Sequence, residues 1–201
     1  MTTMMIDFRA LAGQTPIRVI AKAGISLLLV ALAVLFSREG STLAIIIIFT
    51  GVTGPTIRLV TMKLDGTFAR IMVSPVSKSS FFLTFAALWT VAVILPLFPA
   101  IAVAAILQGP LIIIPVIMGT VFAATLGTIA GFVAHGLSDA HLAALLISGL
   151  LIPLSLFRTP AAMFIPYTFL SFPFSDPASL VAIALLPVVA LALLALVVSR
   201  P

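Results

Sequence analysis

Few side chains in this 201-residue sequence are of types that carry out chemistry. His135 and His141 flank a polar connection that also contains Asp139. Imidazole is a common axial ligand of haem iron, so the two histidines are candidate haem ligands. The alternative is that they are solvated residues at helix ends, which is what interfacial histidines usually are. The sequence has no cysteine and no Gly-x-x-x-x-Gly-Lys-Ser/Thr phosphate-binding loop, so we predict no catalytic residue, no metal site and no ATP bound by this chain.

A polar segment, Lys63 to Ser77, separates two long apolar stretches. Asp65-Gly66 is typical of a turn, and Thr67 is the predicted N-cap of a helix that begins at Phe68. Ser74-Pro75 ends this helix because proline cannot continue it. The sequence therefore predicts a short helix between two apolar segments.

This short helix is amphipathic. Phe68, Ile71 and Met72 share one face at three- and four-residue spacing, and Arg70 lies on another. One interpretation is an ordinary loop helix lying on a membrane surface. The other is a docking element that receives mechanical work from a protein outside the bilayer.

The composition is that of a membrane protein. Hydrophobic residues make up 63% of the chain and charged residues 7%, and the mean hydropathy is +1.39. Soluble domains contain about 25% charged residues, so a water-soluble globule is excluded. The net charge of +5 reflects lysine and arginine in cytoplasmic loops, and we expect no nucleic-acid partner.

We predict an all-α integral membrane fold with six transmembrane helices. A span needs roughly 20 apolar residues, and the predicted spans are 19–37, 42–60, 81–107, 111–134, 141–157 and 178–199. Lysine and arginine are concentrated in the loops on the side of the N-terminus, which predicts that both termini are cytoplasmic. Residues 18–201 form a single transmembrane domain, preceded by an amphipathic interfacial helix at residues 1–17.

Prolines divide two of the apolar regions. Residues 158–177 contain four prolines, which predicts two short helices dipping into the outer leaflet between the fifth and sixth spans. Pro96 and Pro99 are expected to interrupt the third span. The centres of the spans contain no charged residue, so no proton or ion relay is expected.

Small residues recur at every fourth position of the fourth span. Residues of this size allow two helices to approach closely and gain dispersion contacts. The stripe indicates either packing within one subunit or a contact with another subunit, and it consists of Gly119, Ala123, Gly127 and Gly131.

The segment from Asp65 to Ser77 resembles the signature between spans two and three of ABC-2 type exporter permeases. That signature is an acidic residue, then Gly-Thr/Ser-Leu-Glu, apolar residues, and a small residue with proline. This chain departs from it in having Phe68 for the leucine and Ala69 for the glutamate. In the family this segment is the coupling helix that docks into the ATPase subunit. The resemblance thus implies a coupling role for Asp65, Gly66, Thr67, Phe68, Arg70, Ile71, Met72 and Pro75.

A narrower resemblance extends from about Arg58 to Phe157. The motifs are similar to those of the CcmB family, the membrane subunits of the cytochrome c maturation ABC complex. They are Trp89, Leu95-Pro96-Leu97, Met118-Gly119-Thr120, Leu126-Gly127-Thr128-Ile129-Ala130, Gly136-Leu137 and Leu151-Ile152-Pro153-Leu154.

The resemblance implies a permease subunit in the plasma or inner membrane, coupling ATP hydrolysis to haem export or cytochrome c maturation. The implied partners are a cytoplasmic ATPase that holds ATP-Mg, a second permease copy or related membrane subunits, and the lipid bilayer. No cofactor is expected on this chain, although haem is expected in the complex. Two alternatives stay open: an exporter of lipid-like or drug-like amphiphiles, and a force-transmitting scaffold that conducts no substrate.

Overall fold

The computed structural model describes residues 16–34, 39–73, 77–156 and 178–199. Within these ranges the regular elements are all helices, and no strand occurs. The helices are α1 (Pro16–Val34), α2 (Glu39–Leu64), α3 (Thr67–Met72), α4 (Lys78–Gln108), a 3₁₀ turn (Pro110–Ile112), α5 (Ile113–Val133), α6 (Leu137–Leu156) and α7 (Ala178–Ser199). The all-α prediction is therefore confirmed for the described part of the chain.

Four helical stretches are long and apolar enough to cross a membrane. They are Ser41–Leu64, Lys78–Gln108, Pro110–Val133 and Leu137–Leu154, which correspond to the second to fifth predicted spans. The first and last predicted spans coincide with α1 and α7, whose apolar stretches, Val19–Ala31 and Ile183–Val198, are shorter. The chain has the helices of a membrane protein, while the number of six spans stays a prediction.

Three predicted features lie outside the described residues. They are the first fifteen residues of the interfacial helix predicted at 1–17, the proline at position 75, and the proline-divided segment 158–177. All three stay predictions.

The core is built around α2, α4 and α5. Helix α2 packs most extensively against α5 and also packs against α6. Helix α1 packs against α4, and α7 packs against both α4 and α5. The largest fully buried side chains of the core include Phe82 and Phe85 on α4 and Leu43, Ile47 and Ile48 on α2. Apolar side chains on the outside of the bundle are normal for helices surrounded by lipid.

Helices α2 and α5 run parallel at very close range. A Cβ added to Gly51 would lie 2.6 Å from the Cβ of Ala123, and one added to Gly131 would lie 2.9 Å from the carbonyl oxygen of Thr56. A Cβ on Gly127 would overlap the carbonyl oxygen of Val52. Ala123, Gly127 and Gly131 thus form a helix–helix contact inside this chain, and Gly119 is buried in the same helix.

Seven threonine hydroxyls inside the bundle are hydrogen-bonded to backbone, whereas the buried hydroxyl of Ser148 has no hydrogen-bond partner within the described residues. Six threonines donate to the carbonyl four residues earlier in their own helix, which satisfies the hydroxyl without a polar neighbour. Thr56 does the same to Val52 and also lies 2.9 Å from the carbonyl oxygen of Gly127, so its hydroxyl joins α2 to α5.

The prolines of α4 do not end the helix. The sequence predicted an interruption at Pro96 and Pro99, but α4 is continuous from Lys78 to Gln108. Each proline removes one backbone donor, and such losses are tolerated in membrane helices because neighbouring helices and local adjustments hold the segment in place. Pro55 is likewise inside α2.

We predict that Gly127→Ala destabilises the bundle, because the new methyl group meets backbone of α2 that cannot move aside alone. Overpacking of this kind costs about 1–3 kcal/mol. Gly149→Ala on α6 is the matched control, since a Cβ there has no atom within 4 Å. Thermal unfolding of the purified protein in detergent should show a lower Tm for Gly127→Ala and an unchanged or slightly higher Tm for Gly149→Ala. Equal Tm values would contradict the close contact.

Candidate functional site

The connection between α2 and α3 is a tight turn in which Gly66 is the N-cap residue of α3 and the Asp65 side chain bonds to Thr67. Gly66 has a φ of 76°, a left-handed conformation that glycine adopts without strain. The Asp65 Oδ1 accepts a hydrogen bond from the backbone N–H of Thr67 at 2.9 Å. Helix α3 begins at Thr67, so the predicted N-cap at Thr67 and start at Phe68 are wrong. The aspartate side chain reaches the amide two residues on, as aspartates in turns commonly do.

The surroundings of Asp65 favour its charged form. Hydrogen bonds from the Thr67 hydroxyl and then from the Thr67 backbone lower the pKa of this exposed carboxyl, and the positive charges of Arg58 and Arg70 lower it further. Because the folded-state pKa of Asp65 is below the ordinary value, its carboxylate is charged at neutral pH and the hydrogen bonds from Thr67 stabilise the turn. Their contribution is lost only when the pH falls through that lowered pKa.

The apolar face of α3 is turned toward the bundle. Phe68, Ile71 and Met72 are half-buried and pack against the hydrophobic core. The Phe68 ring meets Phe82 of α4 edge-on, with 6.0 Å between ring centroids. Phe82 in turn meets Phe132 of α5 at 5.1 Å. An aromatic chain therefore connects α3 to α4 and α5.

Lys63, in the last turn of α2, ties α2 to the end of α5 and to α3. Its Nζ donates to the carbonyl oxygen of Phe132 and, at 2.9 Å, to that of Ala134. These carbonyls lie at the C-terminal end of α5, where backbone acceptors lack intrahelical partners and the helix dipole favours a cation. The Nζ also lies 5.9 Å from the ring centroid of Phe68 and 5.6 Å from that of Phe132, within cation–π range.

The opposite face of α3 is open. Ala69 and Arg70 are exposed, Val73 is 86% exposed, and Leu64 at the end of α2 is 61% exposed. We call Leu64, Ala69, Arg70 and Val73 the outer face of α3. Phe68, Ile71 and Met72 attach α3 to its own subunit, so a protein approaching from outside first meets the outer face.

Three residues of this site were not predicted. Lys63, Phe82 and Phe132 hold α3 in place, yet a lysine at the end of an apolar span is ordinarily interpreted as snorkelling to the headgroups. Two features of the sequence could have pointed to Lys63. It lies two residues before the turn at Asp65, and together with Arg58 and Arg70 it makes this part of the chain basic. Pro75, the last predicted coupling residue, lies outside the described residues.

The two histidines do not share one cavity. His135 and Asp139 line a cavity of about 530 Å³ between the end of α5 and the start of α6, with otherwise apolar walls. His141 is exposed and is not part of that lining. In the described ranges, no group of three or more histidine, cysteine, aspartate or glutamate side chains is arranged to hold a metal ion. The assignment of either histidine as a haem ligand stays a prediction.

Comparison of this chain with protein-family models, curated proteins and solved structures found no match. The functional argument therefore rests on the residues and geometry above.

We predict that Lys63→Met loosens α3. Methionine keeps the length and the apolar stem but removes hydrogen bonds from a charged donor, which contribute roughly 1.5–3 kcal/mol. Hydrogen–deuterium exchange of residues 64–73 should become faster, and the Tm should fall. Lys78→Met is the control, because Lys78 is exposed at the start of α4 and its loss should leave both measurements unchanged. Unchanged exchange in Lys63→Met would show that the contacts to α5 do not hold α3.

Proposed function

We propose that this chain is the membrane-spanning subunit of an ABC-2 type exporter, most similar to the CcmB family, driven by a separate cytoplasmic ATPase. The observation that carries the proposal is the geometry of α3. It is a six-residue helix at the end of a bundle, attached on its inner side to α2 and α4 and exposed on its outer face. A coupling element needs both properties, since it must contact the motor and also transmit its movement.

The contacts of α3 provide a physical route for that movement. Helix α2 leads directly into α3 through the Asp65 turn, Phe68 contacts Phe82 of α4, and Lys63 is bonded to the end of α5. Packed interiors are dense and transmit strain because few voids can absorb a displacement. A push on the outer face therefore acts on α2, α4 and α5 together.

The absence of a phosphate-binding loop and the resemblance to the CcmB family support a division of labour within the proposed complex. With no phosphate-binding loop in this chain, ATP-Mg is held by the partner ATPase, and haem is held by other membrane subunits of the complex. The α2–α3 connection and both termini face the cytoplasm of a cell with a plasma or inner membrane. A cysteine placed at Ala69 in this cysteine-free chain tests this orientation: labelling by an impermeant reagent in intact cells would contradict it.

Purification of the complex from native membranes distinguishes this function from its rivals. An ATPase recovered with haem-handling membrane proteins supports the CcmB-like function. An ATPase with a bound lipid-like or drug-like molecule supports an exporter of amphiphiles. An ATPase whose hydrolysis moves no substrate in reconstituted vesicles supports a force-transmitting scaffold. Recovery without any ATPase under conditions that keep the membrane subunits together would contradict all three.

We predict that substitutions on the two sides of α3 have separable effects on a complex co-expressed with its ATPase. Val73→Asp places a charge on the outer face, where it should reduce ATPase recovery and leave the Tm of the permease unchanged. Ile71→Asp places a carboxylate against the core, where an uncompensated polar group costs a few kcal/mol, so the Tm should also fall.

The matched control is Ser138→Asp, an exposed position in the first turn of α6 where a negative charge is compatible with the helix dipole. It should retain wild-type recovery of the ATPase. Wild-type recovery with Val73→Asp combined with Arg70→Glu would show that the outer face of α3 is not the docking surface.

A further inference from the structure

A cavity of about 440 Å³ lies between α1, α2 and α4. Most of its lining is apolar, and it includes Ile25 and Leu29 of α1 and Phe49 of α2, which are exposed on the outside of the bundle. In a bilayer these side chains face acyl chains, so the cavity is accessible from the membrane. Its volume lies within the roughly 300–1,000 Å³ that is usual for small-molecule sites.

The lining of this cavity contains one unsatisfied hydrogen-bond donor. Trp89 of α4 is 6% exposed, and its buried Nε1 has no hydrogen-bond partner within the described residues. Buried tryptophans usually find an acceptor for this N–H, because a buried donor without one destabilises the fold. The Trp89 indole can therefore bind an acceptor that a second molecule brings into the cavity.

Gly54 of α2 fixes the orientation of the Trp89 indole. A Cβ added to Gly54 would lie 2.6 Å from Cζ3 of Trp89 and 3.1 Å from Cε3, and both atoms belong to the benzene edge of the ring. Nε1 belongs to the opposite, pyrrole edge, so the donor is turned away from this contact with α2. Because Nε1 is covered, an acceptor reaches it after a small rotation of the indole or of a neighbouring wall side chain.

The unsatisfied donor lies deep in the bundle. Trp89 is eleven residues after Lys78, the start of α4, and Gly54 is ten residues before Leu64, the end of α2. At 1.5 Å per residue, both lie about 15–17 Å from the end of the bundle that carries α3.

This depth restricts the molecule that can supply the acceptor. The hydrocarbon core of a bilayer is about 30 Å thick, so the Trp89 donor lies near its middle. The ester carbonyls of phospholipids lie at the edges of that core, and charged groups are costly inside it. The acceptor therefore belongs to an uncharged molecule that dissolves in the interior of the membrane.

We propose that the cavity between α1, α2 and α4 binds an uncharged, membrane-soluble molecule with an apolar body and a carbonyl oxygen that accepts a hydrogen bond from Trp89 Nε1. Ketones and quinones with hydrocarbon chains have this chemistry. The apolar lining holds the body of the molecule, and the charge of Lys22 plays no part in binding. The site does not depend on the function proposed above, because it is defined by α1, α2 and α4 and not by the outer face of α3.

Trp89 makes the proposal directly measurable, because it is the only tryptophan of the chain and an isotope-labelled indole gives a single N–H signal by NMR. The purified chain is placed in nanodiscs of ether-linked phospholipid, which has no ester carbonyl. It is titrated with undecyl methyl ketone or with tridecane, an alkane that has the same number of carbon atoms. We expect the ketone, and not the alkane, to move the indole proton downfield until the site is saturated.

The increase in Tm on adding each probe compares their affinities. In the native chain the ketone should bind roughly ten-fold more tightly than tridecane, the gain expected when a buried donor is satisfied. Trp89→Phe keeps a ring on the cavity wall and removes the donor, so the two probes should raise the Tm of this variant equally.

Two further substitutions test whether the ketone binds in the cavity. Val93→Phe should fill the cavity and abolish the increase in Tm, while Leu95→Phe, at an exposed position of α4 outside the lining, should retain it. If Val93→Phe does not fold, Thr53→Leu fills the cavity from α2.

Four results would overturn the proposal. The first is an indole proton that saturating ketone does not move, and the second is an equal increase in Tm by ketone and alkane in the native chain. The third is a preference for the ketone that survives Trp89→Phe. The fourth is a downfield signal that is already present in ester-linked nanodiscs and that the ketone does not change, since the acceptor would then be a bilayer lipid.

Discussion

The close contact of α2 with α5 is the constraint on which the end of the bundle that carries α3 depends. The two helices touch backbone to backbone because Gly51, Gly127 and Gly131 have no side chains at their contact points. Lipid does not drive helices together as water does, so the gain comes from dispersion across this narrow gap and from the Thr56 hydroxyl bridging it. The parallel course then brings the last turn of α2 beside the last turn of α5.

That juxtaposition allows Lys63 to bond the free carbonyls of α5 while the chain turns at Gly66 into α3. Helix α3 would not be stable on its own, since isolated helices of this length are marginal in water. Its stability comes from tertiary contacts, namely Phe68 on Phe82 and the lysine between two rings. In the proposed mechanism these contacts also make α3 mechanically continuous with the bundle.

Much of this arrangement could be predicted from the sequence, but not which way the apolar face of α3 turns. The spacing of the small residues in α5 identified a contact face, because a stripe at every fourth position is a local pattern. The amphipathic spacing of Phe68, Ile71 and Met72 identified which side chains share a face. Local spacing does not specify whether that face turns to its own bundle or to a partner, and here it turns to the bundle. The hydrogen bonds of Lys63 involve residues about 70 positions away, which local spacing does not reveal. The hydrogen bond between Asp65 and Thr67 depends on a backbone conformation that several turn types share.

The measurement that tests the central claim most directly is cross-linking from the outer face of α3 in native membranes. A photoactivatable group is attached to a single cysteine replacing Val73, with a cysteine replacing Ser138 as the reference position, and the adducts are identified by mass spectrometry. The account predicts that the Val73 position captures a cytoplasmic protein bearing a Gly-x-x-x-x-Gly-Lys-Ser/Thr motif and that the Ser138 position captures far less of it. Adducts from Val73 that contain only lipid, or no such ATPase, would contradict it.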